Sequence, residues 1–269
     1  MFVDQVSAVV REVGLAEVVP RYQALSVEDV MEKSPGDLVT VADQECERVL
    51  SERLREIRDV PVVGEEATAA NPALLDVVTS APASWVIDPI DGTSNFVKGD
   101  PNFVVMVSFV EGAKTTGAWI WHPETDEMLT AELGGGAKLN GQALAAPVRH
   151  DVPTGILKSW LMGATAHERL QQLPSELGRL VPAIGSAGIE YGALVRGEID
   201  FLFYWRTLPW DHAAGALLVA ECGLNVGRTD GTPYVPGDGT SGLLSATSEV
   251  WERLATEIEA ARQFFEPRT

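Results

Sequence analysis

The chain has 269 residues, 45% of them apolar and 22% charged, which suits one compact unit of two sublobes with a core that needs no staples. A formal charge of −19 argues against nucleic acid and anionic membranes as main partners, because binding phosphate-rich surfaces calls for basic ones. A small phosphate stays within reach if a metal locally reverses the sign of the field.

Cys46 and Cys222 lie far apart in helical-looking stretches. They form neither a disulfide framework nor a zinc spacing and read as small buried thiols in a reducing cytoplasm. Met1 leads directly into an amphipathic pattern, so no signal peptide is expected. No run reaches the roughly 18–20 apolar residues of a membrane span.

Val3, Val6, Val10 and Val13 recur at helical spacing, predicting an amphipathic helix stopped near Gly14. Lys33 to Asp37 is turn chemistry, and Leu38 to Val41 is a short extended piece. A helix from about Asp43 carries Cys46, Val49, Leu50, Leu54 and Ile57 on one face. Val60 to Val63 reads as a strand closed by Gly64-Glu65-Glu66, and Ala67 to Ala83 as a loop or irregular helical connection. Trp85-Val86-Ile87 is a buried strand that runs into Asp88-Pro89-Ile90-Asp91-Gly92-Thr93-Ser94-Asn95-Phe96.

Beyond that turn, Phe103 to Val110, Thr116 to Trp121 and Glu127 to Ala131 form a predicted antiparallel meander, followed by the turn signal Asn140-Gly141. A change of composition over Arg149 to Pro153 sets the sublobe boundary, with residues 1–150 before it and 151–269 after. The second half alternates strand and helix. Gly155 to Trp160 is a strand, Ala166 to Leu180 a helix, and Pro182 to Ser186 a strand entering a turn. Gly188 to Arg196 is a helix ended by Gly197, and Ile199 to Trp205 is a strand. Ala213 to Ala220 reads as a helix buried on all sides that ends at Cys222-Gly223. Leu243 to Ala246 is a last strand, and Val250, Leu254, Ile258, Ala261 and Phe265 mark the final helix. The pattern predicts an α/β layered sandwich.

Four acidic features share a position at a strand end or a helix start: Asp43, Glu65, the pair Asp88 and Asp91, and Asp211. The Asp88 turn also has Gly92, which lets backbone approach a ligand, and the good helix caps Thr93, Ser94 and Asn95. Carboxylate oxygens suit a hard cation such as Mg²⁺, and helix-start amides suit an anion. For Asp43 and Asp211 taken alone, a helix cap is the competing reading. Together the set could hold two or three Mg²⁺ ions, a donor arrangement suited to hydrolysing a phosphate ester.

The stretch Asp88 to Phe96 resembles the first signature of the inositol monophosphatase family, and Trp210-Asp211-His212-Ala213-Ala214-Gly215 resembles the second. Gly64-Glu65-Glu66 and Asp37 to Asp43 are similar to two further family segments, in the family's order. The resemblance implies a Mg²⁺-dependent, lithium-sensitive phosphomonoesterase, with Mn²⁺ as a substitute ion, built as a layered α-β-α-β-α sandwich and commonly dimeric. It implies that Glu65, Asp88 and the Ile90 carbonyl hold one metal, that Asp88, Asp91 and Asp211 hold a second, and that a weaker third lies near Glu65. Thr93, hydrogen-bonded to Asp43, would orient the attacking water, and the Gly92 and Thr93 amides would grip phosphate. Asp91 would also touch the substrate near its ester, as would Asp211.

His212 is expected to support the site rather than act as a base. Gly185-Ser186-Ala187 matches the family's polyol-contacting segment. Tyr204 stands where inositol-specific members have a glutamate, and it argues for broader specificity. Arg206, on the same face if the strand continues, would attract a second anionic group. Inositol monophosphate or a related polyol or sugar phosphate is the expected substrate. Histidinol phosphate, fructose 1,6-bisphosphate and nucleotide 3′-phosphates are alternatives on the same fold, and a phosphate-sensing regulatory protein is the non-enzymatic one.

Overall fold

The structure, a computed structural model, describes residues 2–34, 36–148, 150–173 and 177–265. Pro35 of the expected turn, Arg149 at the expected boundary and residues 174–176 of the expected helix lie outside the described residues.

Helix α1 (Phe2–Val13) leads through a π-helical turn over Gly14–Val18 to the hairpin β1 (Val30–Ser34) and β2 (Asp37–Thr40). The α-helix thus ends just before Gly14, as expected, and the winding continues from that glycine as a π-helical turn. A Cβ there would collide with the Trp121 ring, so the glycine serves close packing of this turn on the sheet. Helix α2 (Val41–Ile57) follows, capped by Thr40, and then β3 (Val62–Gly64), α3 (Glu65–Ala70) and α4 (Val77–Ser80).

A seven-stranded sheet is built by β3, β4 (Ala83–Asp91), β5 (Val104–Glu111), β6 (Lys114–His122), β7 (Glu127–Glu132), β8 (Gly136–Leu139) and β9 (Gln142–Ala143), in that spatial order. Only β3 and β4 pair in parallel, as expected of a meander. Between β4 and β5 lies α5 (Thr93–Lys98). The second sheet has the order β11 (Arg179–Leu180), β10 (Thr154–Lys158), β12 (Phe201–Tyr204), β14 (Leu243–Ala246), β13 (Asn225–Gly227). Its helices are α6 (Ala164–Gln171), α7 (Ala187–Val195), α8 (Pro209–Glu221) and α9 (Ser248–Arg262).

Strand alternation sorts the core into layers. Along β5, Val105, Val107 and Phe109 pack with α1 and α2, while Val104 and Met106 pack with α7 and α8. Burial on both faces explains why β5 reads as a nearly continuous apolar run, broken before Glu111 only by the small Ser108. Along β12, Leu202 and Tyr204 face α7 and α8, whereas Phe201 and Phe203 face α6 and α9. The layers run helix, sheet, helix, sheet, helix, which is the sandwich that the motifs implied.

Two stretches of the second half differ from the sequence reading. The expected helix over 166–180 ends at Gln171, and Arg179–Leu180 is instead an edge strand parallel to β10. Arg179 N–H reaches the Pro153 carbonyl and Val181 N–H the Gly155 carbonyl, so sheet pairing satisfies backbone that a longer helix would have satisfied internally. Residues 182–186 form no strand, and their loop is pinned by the Glu190 carboxylate, which accepts the Ile184 and Gly185 amides at 2.8 and 3.2 Å.

Candidate metal centre

Asp88 and Asp91 are three residues apart, so a regular strand would point them to opposite faces. The β4–β5 register instead pairs Asp88 with Met106 and Asp91 with Val104, inserting one extra residue in β4. Pro89, which has no amide to give the ladder, sits in this bulge. The bulge brings the two carboxylates to one side, where Asp211 joins them from the first turn of α8. One carboxylate oxygen from each of the three lies within 4.8 Å of the others. Asp211 is not the helix cap. Leu208 takes that position and Pro209 follows it, which leaves the Asp211 carboxylate to face the cleft.

Desolvation drives all three carboxyls above their ordinary range; at Asp88 and Asp211 Glu65 and neighbouring aspartates add repulsion, whereas at Asp91 the Ser186, Gly188 and Ala187 hydrogen bonds and the Lys158 charge pull the other way. Concentrated carboxylate oxygens with raised proton affinity fit a hard divalent cation, which relieves the same repulsion.

Asp91 carries a second load. Its Oδ2 accepts Ser186 Oγ–H and the Gly188 amide, both at 2.6 Å, and its Oδ1 accepts the Ala187 amide at 3.0 Å. A residue of the large sheet thus caps α7, which packs between the sheets. Gly185 and Ala187 line the cleft, but the Ser186 hydroxyl is turned to Asp91.

Gly92 has φ +98°, and a Cβ on it would meet the Asn102 carbonyl oxygen at 2.9 Å, so only glycine makes this approach. It is also the residue from which α5 starts, one place before the expected caps. Thr93 Oγ1 lies 3.2 Å from Asp43 Oδ1 and 3.0 Å from the Ile90 carbonyl oxygen. Asp43 itself is N3 of α2 and accepts both the amide and the hydroxyl of Thr40 on Oδ2. Burial pushes its carboxyl up to about 6, against the pull of the Thr40 hydrogen bonds.

Glu65 opens α3 and pairs with Lys33 at 2.8 Å, the same ammonium reaching Glu66 at 2.9 Å. The helix start is fixed by Glu47, whose carboxylate accepts the Glu66 and Ala67 amides at 2.7 and 2.8 Å. Gly64 exists to let Glu47 in, since any Cβ would overlap that carboxylate.

Glu65, Asp88, Ile90, Asp91, Thr93 and Asp211 open into one cleft of about 290 Å³, with Asp43 buried behind Thr93. Its other wall carries Lys158, Trp160, Tyr204, Trp205 and Arg206. Tyr204 is 4% exposed, and its hydroxyl donates to Glu190 Oε2 at 2.5 Å. Strand β12 ends at Tyr204, so Arg206 reaches the cleft from the loop rather than by strand alternation. His212 sits between Tyr191 Oη (3.1 Å) and the Arg206 carbonyl oxygen (3.0 Å), and burial pushes its pKa down to about 3, leaving it a neutral brace.

Lys33, Glu47, Lys158 and Glu190 were not among the expected site residues. The available signal was charge out of place: Lys158 ends an apolar strand, and Glu190 interrupts an apolar helix.

A profile of the inositol monophosphatase family matches residues 4–263. The inositol-1-monophosphatase of Rhizobium meliloti is 32% identical over 197 residues, spanning 71% of this chain and 72% of its own. Inositol monophosphatase 1 of Rattus norvegicus is 32% identical over 242 residues, 86% of this chain and 85% of its own. Among solved structures, the inositol monophosphatase of Thermotoga maritima superposes with a TM-score of 0.79 at 25% identity, covering 97% of both chains. Sandwich and acidic centre together define a phosphoric monoester hydrolase of a metal-dependent class. The chain belongs to the inositol monophosphatase family.

Proposed function

We propose that the protein hydrolyses inositol monophosphate or a related small polyol or sugar phosphate to the free alcohol and phosphate, with Mg²⁺ as its metal. The observation that carries this reading is the convergence of the Asp88, Asp91 and Asp211 cluster and the Thr93–Asp43 pair on one cleft. Glu65, Asp88 and the Ile90 carbonyl would hold one ion, and Asp88, Asp91 and Asp211 another, with a third near Glu65. Divalent ions there supply charge neutralisation and Lewis acidity.

The chain's own groups do the positioning. With its proton given to Asp43, Thr93 Oγ1 keeps lone pairs to receive a hydrogen bond from the attacking water. The raised proton affinity of Asp43 suits it to draw that proton on as the water adds. The Gly92 and Thr93 amides hold phosphate oxygens. Gly185, Ala187, Tyr204 and Arg206 bound the alcohol, and Ser186 acts through Asp91.

We further take residues 1–150 and 151–269 as two sublobes of a cytoplasmic homodimer that lithium inhibits. Among the described residues no helix is long and apolar enough to cross a membrane.

The test is phosphate release from inositol, sugar, histidinol, fructose 1,6-bis- and nucleotide 3′-phosphates, with Mg²⁺ and after chelation. Turnover that needs Mg²⁺ or Mn²⁺ and falls on small polyol or sugar phosphates is expected. Full turnover after exhaustive EDTA treatment would overturn the metal role. Strong preference for histidinol phosphate or a nucleotide 3′-phosphate would replace the substrate. Light scattering gives the subunit count.

A further inference from the structure

The wall opposite the acidic centre holds a charged device of unusual construction. Glu190 is fully buried, and all its acceptor directions are in use. Oε1 takes the Ile184 and Gly185 amides, and Oε2 takes the Tyr204 hydroxyl at 2.5 Å and the Lys158 ammonium at 3.0 Å. The Lys158 Nζ also stands 5.1 Å from the centre of the Tyr204 ring. Lys158 closes β10 with its side chain 24% exposed and lines the cleft beside Arg206, which is exposed.

A buried ion pair is a poor way to gain stability, because desolvation consumes most of the attraction. Two apolar residues would fill this layer as well. What the pair does provide is an ammonium with a fixed position. Glu190 occupies one of its three N–H groups and, with the Tyr204 ring beside it, fixes the ammonium, so the others meet a ligand without a large ordering cost. The Glu190 carboxylate is shielded from the cleft, whereas the ammonium is not. A ligand in the cleft therefore meets Lys158 and Arg206 as cations. Both line the same cleft of about 290 Å³ as Asp88, Asp91 and Asp211. An anion they bind therefore shares that small space with the ester.

We propose that Lys158, positioned by Glu190 and Tyr204 and assisted by Arg206, selects phosphomonoesters whose small alcohol half carries a second anionic group, a carboxylate or another phosphate. This inference rests on the hydrolase reading of the same cleft and names its substrate class. Tyr204 then acts through Lys158 rather than as a direct contact to a polyol.

The experiment compares two esters that differ by one carboxylate, 3-phosphoglycerate and glycerol 3-phosphate, in the full-length Mg²⁺-loaded protein. The wild type is expected to favour 3-phosphoglycerate in kcat/KM by about tenfold or more, the fold-change of one charge-assisted hydrogen bond. Lys158→Gln should collapse that ratio mainly through KM, Lys158→Arg should retain part of it, and Arg206→Gln should reduce it. Fructose 1,6-bisphosphate against fructose 6-phosphate tells phosphate from carboxylate as the preferred anion.

Because the ratio is the readout, a general loss of activity cancels. Should Lys158→Gln fold poorly with Glu190 left uncompensated, Lys158→Gln/Glu190→Gln gives the same reading. Calorimetric titration of both glycerol esters against Thr93→Ala, with Mg²⁺ present, measures the preference as a ratio of Kd even if nothing is hydrolysed. Hydrolysis with no preference for the anionic ester, or a ratio that Lys158→Gln leaves intact, overturns this inference and leaves the hydrolase reading standing. No phosphate release from any ester, with the Kd preference present, does the reverse.

Discussion

At the residue scale, the site divides into groups that motif spacing reveals and groups that only the fold brings together. Thr93 belongs to the first kind. It sits between Asp43 Oδ1 and the Ile90 carbonyl, and Thr93→Ala removes the hydroxyl we propose to orient the attacking water while sparing the carboxylate cluster. Expected is a loss in kcat of roughly 10²–10⁴, the range for a positioned proton transfer, with KM changing far less. Steady-state kinetics on the best ester of the panel checks this, and a large KM rise with kcat intact would move Thr93 to substrate binding. Asp88, Asp91 and Asp211 were legible for the same reason as Thr93, because each falls within a short dense signature. Glu190 was not. It contacts residues 32 positions before it and 14 after it, and nothing local to its helix betrays those partners. The same holds for Ser186, whose place in a polyol-like segment hid its bond to a carboxylate 95 residues earlier.

At the element scale, α3 shows how a six-residue helix is made stiff enough to present Glu65. Such a helix is unstable alone, and its free amides need acceptors. Glu47, from α2, supplies both oxygens, and Gly64 leaves room for them. Glu47→Ala leaves two amides unpaired in a half-buried place and should cost about 1–3 kcal/mol in denaturant unfolding. It should also weaken metal binding, read as a higher Mg²⁺ concentration for half-maximal activity. Unchanged stability and Mg²⁺ response would mean that α3 is held by packing alone. Long elements with a clear period, such as α2, β5, β6 and α9, were readable from sequence. The short β1, β11 and β13 were not, because two to five residues at a sheet edge carry too little apolar pattern to separate from loop or helix.

At the scale of the whole molecule, acidic charge is concentrated where the layers meet as well as on the surface. Burial raises Asp43 to about 6 and Glu66 to about 7, and it raises Glu47 and the three cluster carboxyls as well. A carboxyl whose folded pKa exceeds its unfolded one binds more protons in the native state. Its stabilising contribution is complete below the unfolded value and is lost as pH rises through the folded value. The metal-free protein should therefore melt at a lower temperature at about pH 8 than at about pH 5.5. Mg²⁺ should flatten that slope, because it stabilises the ionised form. Calorimetry with EDTA and with Mg²⁺ tests this, and a metal-free Tm that rises over the same interval would contradict it.

The double duty of Asp91 bears on how descendants of such a chain would decay. A copy freed from selection for turnover could lose Thr93 or Asp211 with little harm to its architecture. It could not lose Asp91 so cheaply, because three donors at the start of α7 would be orphaned between the two sheets. The most eye-catching letter of the signature would then outlive the chemistry it advertises. In a diverged or silenced paralogue, the proposed chemistry is better judged from the quieter positions, Thr93 and Asp211, whose side chains cap no helix between the sheets.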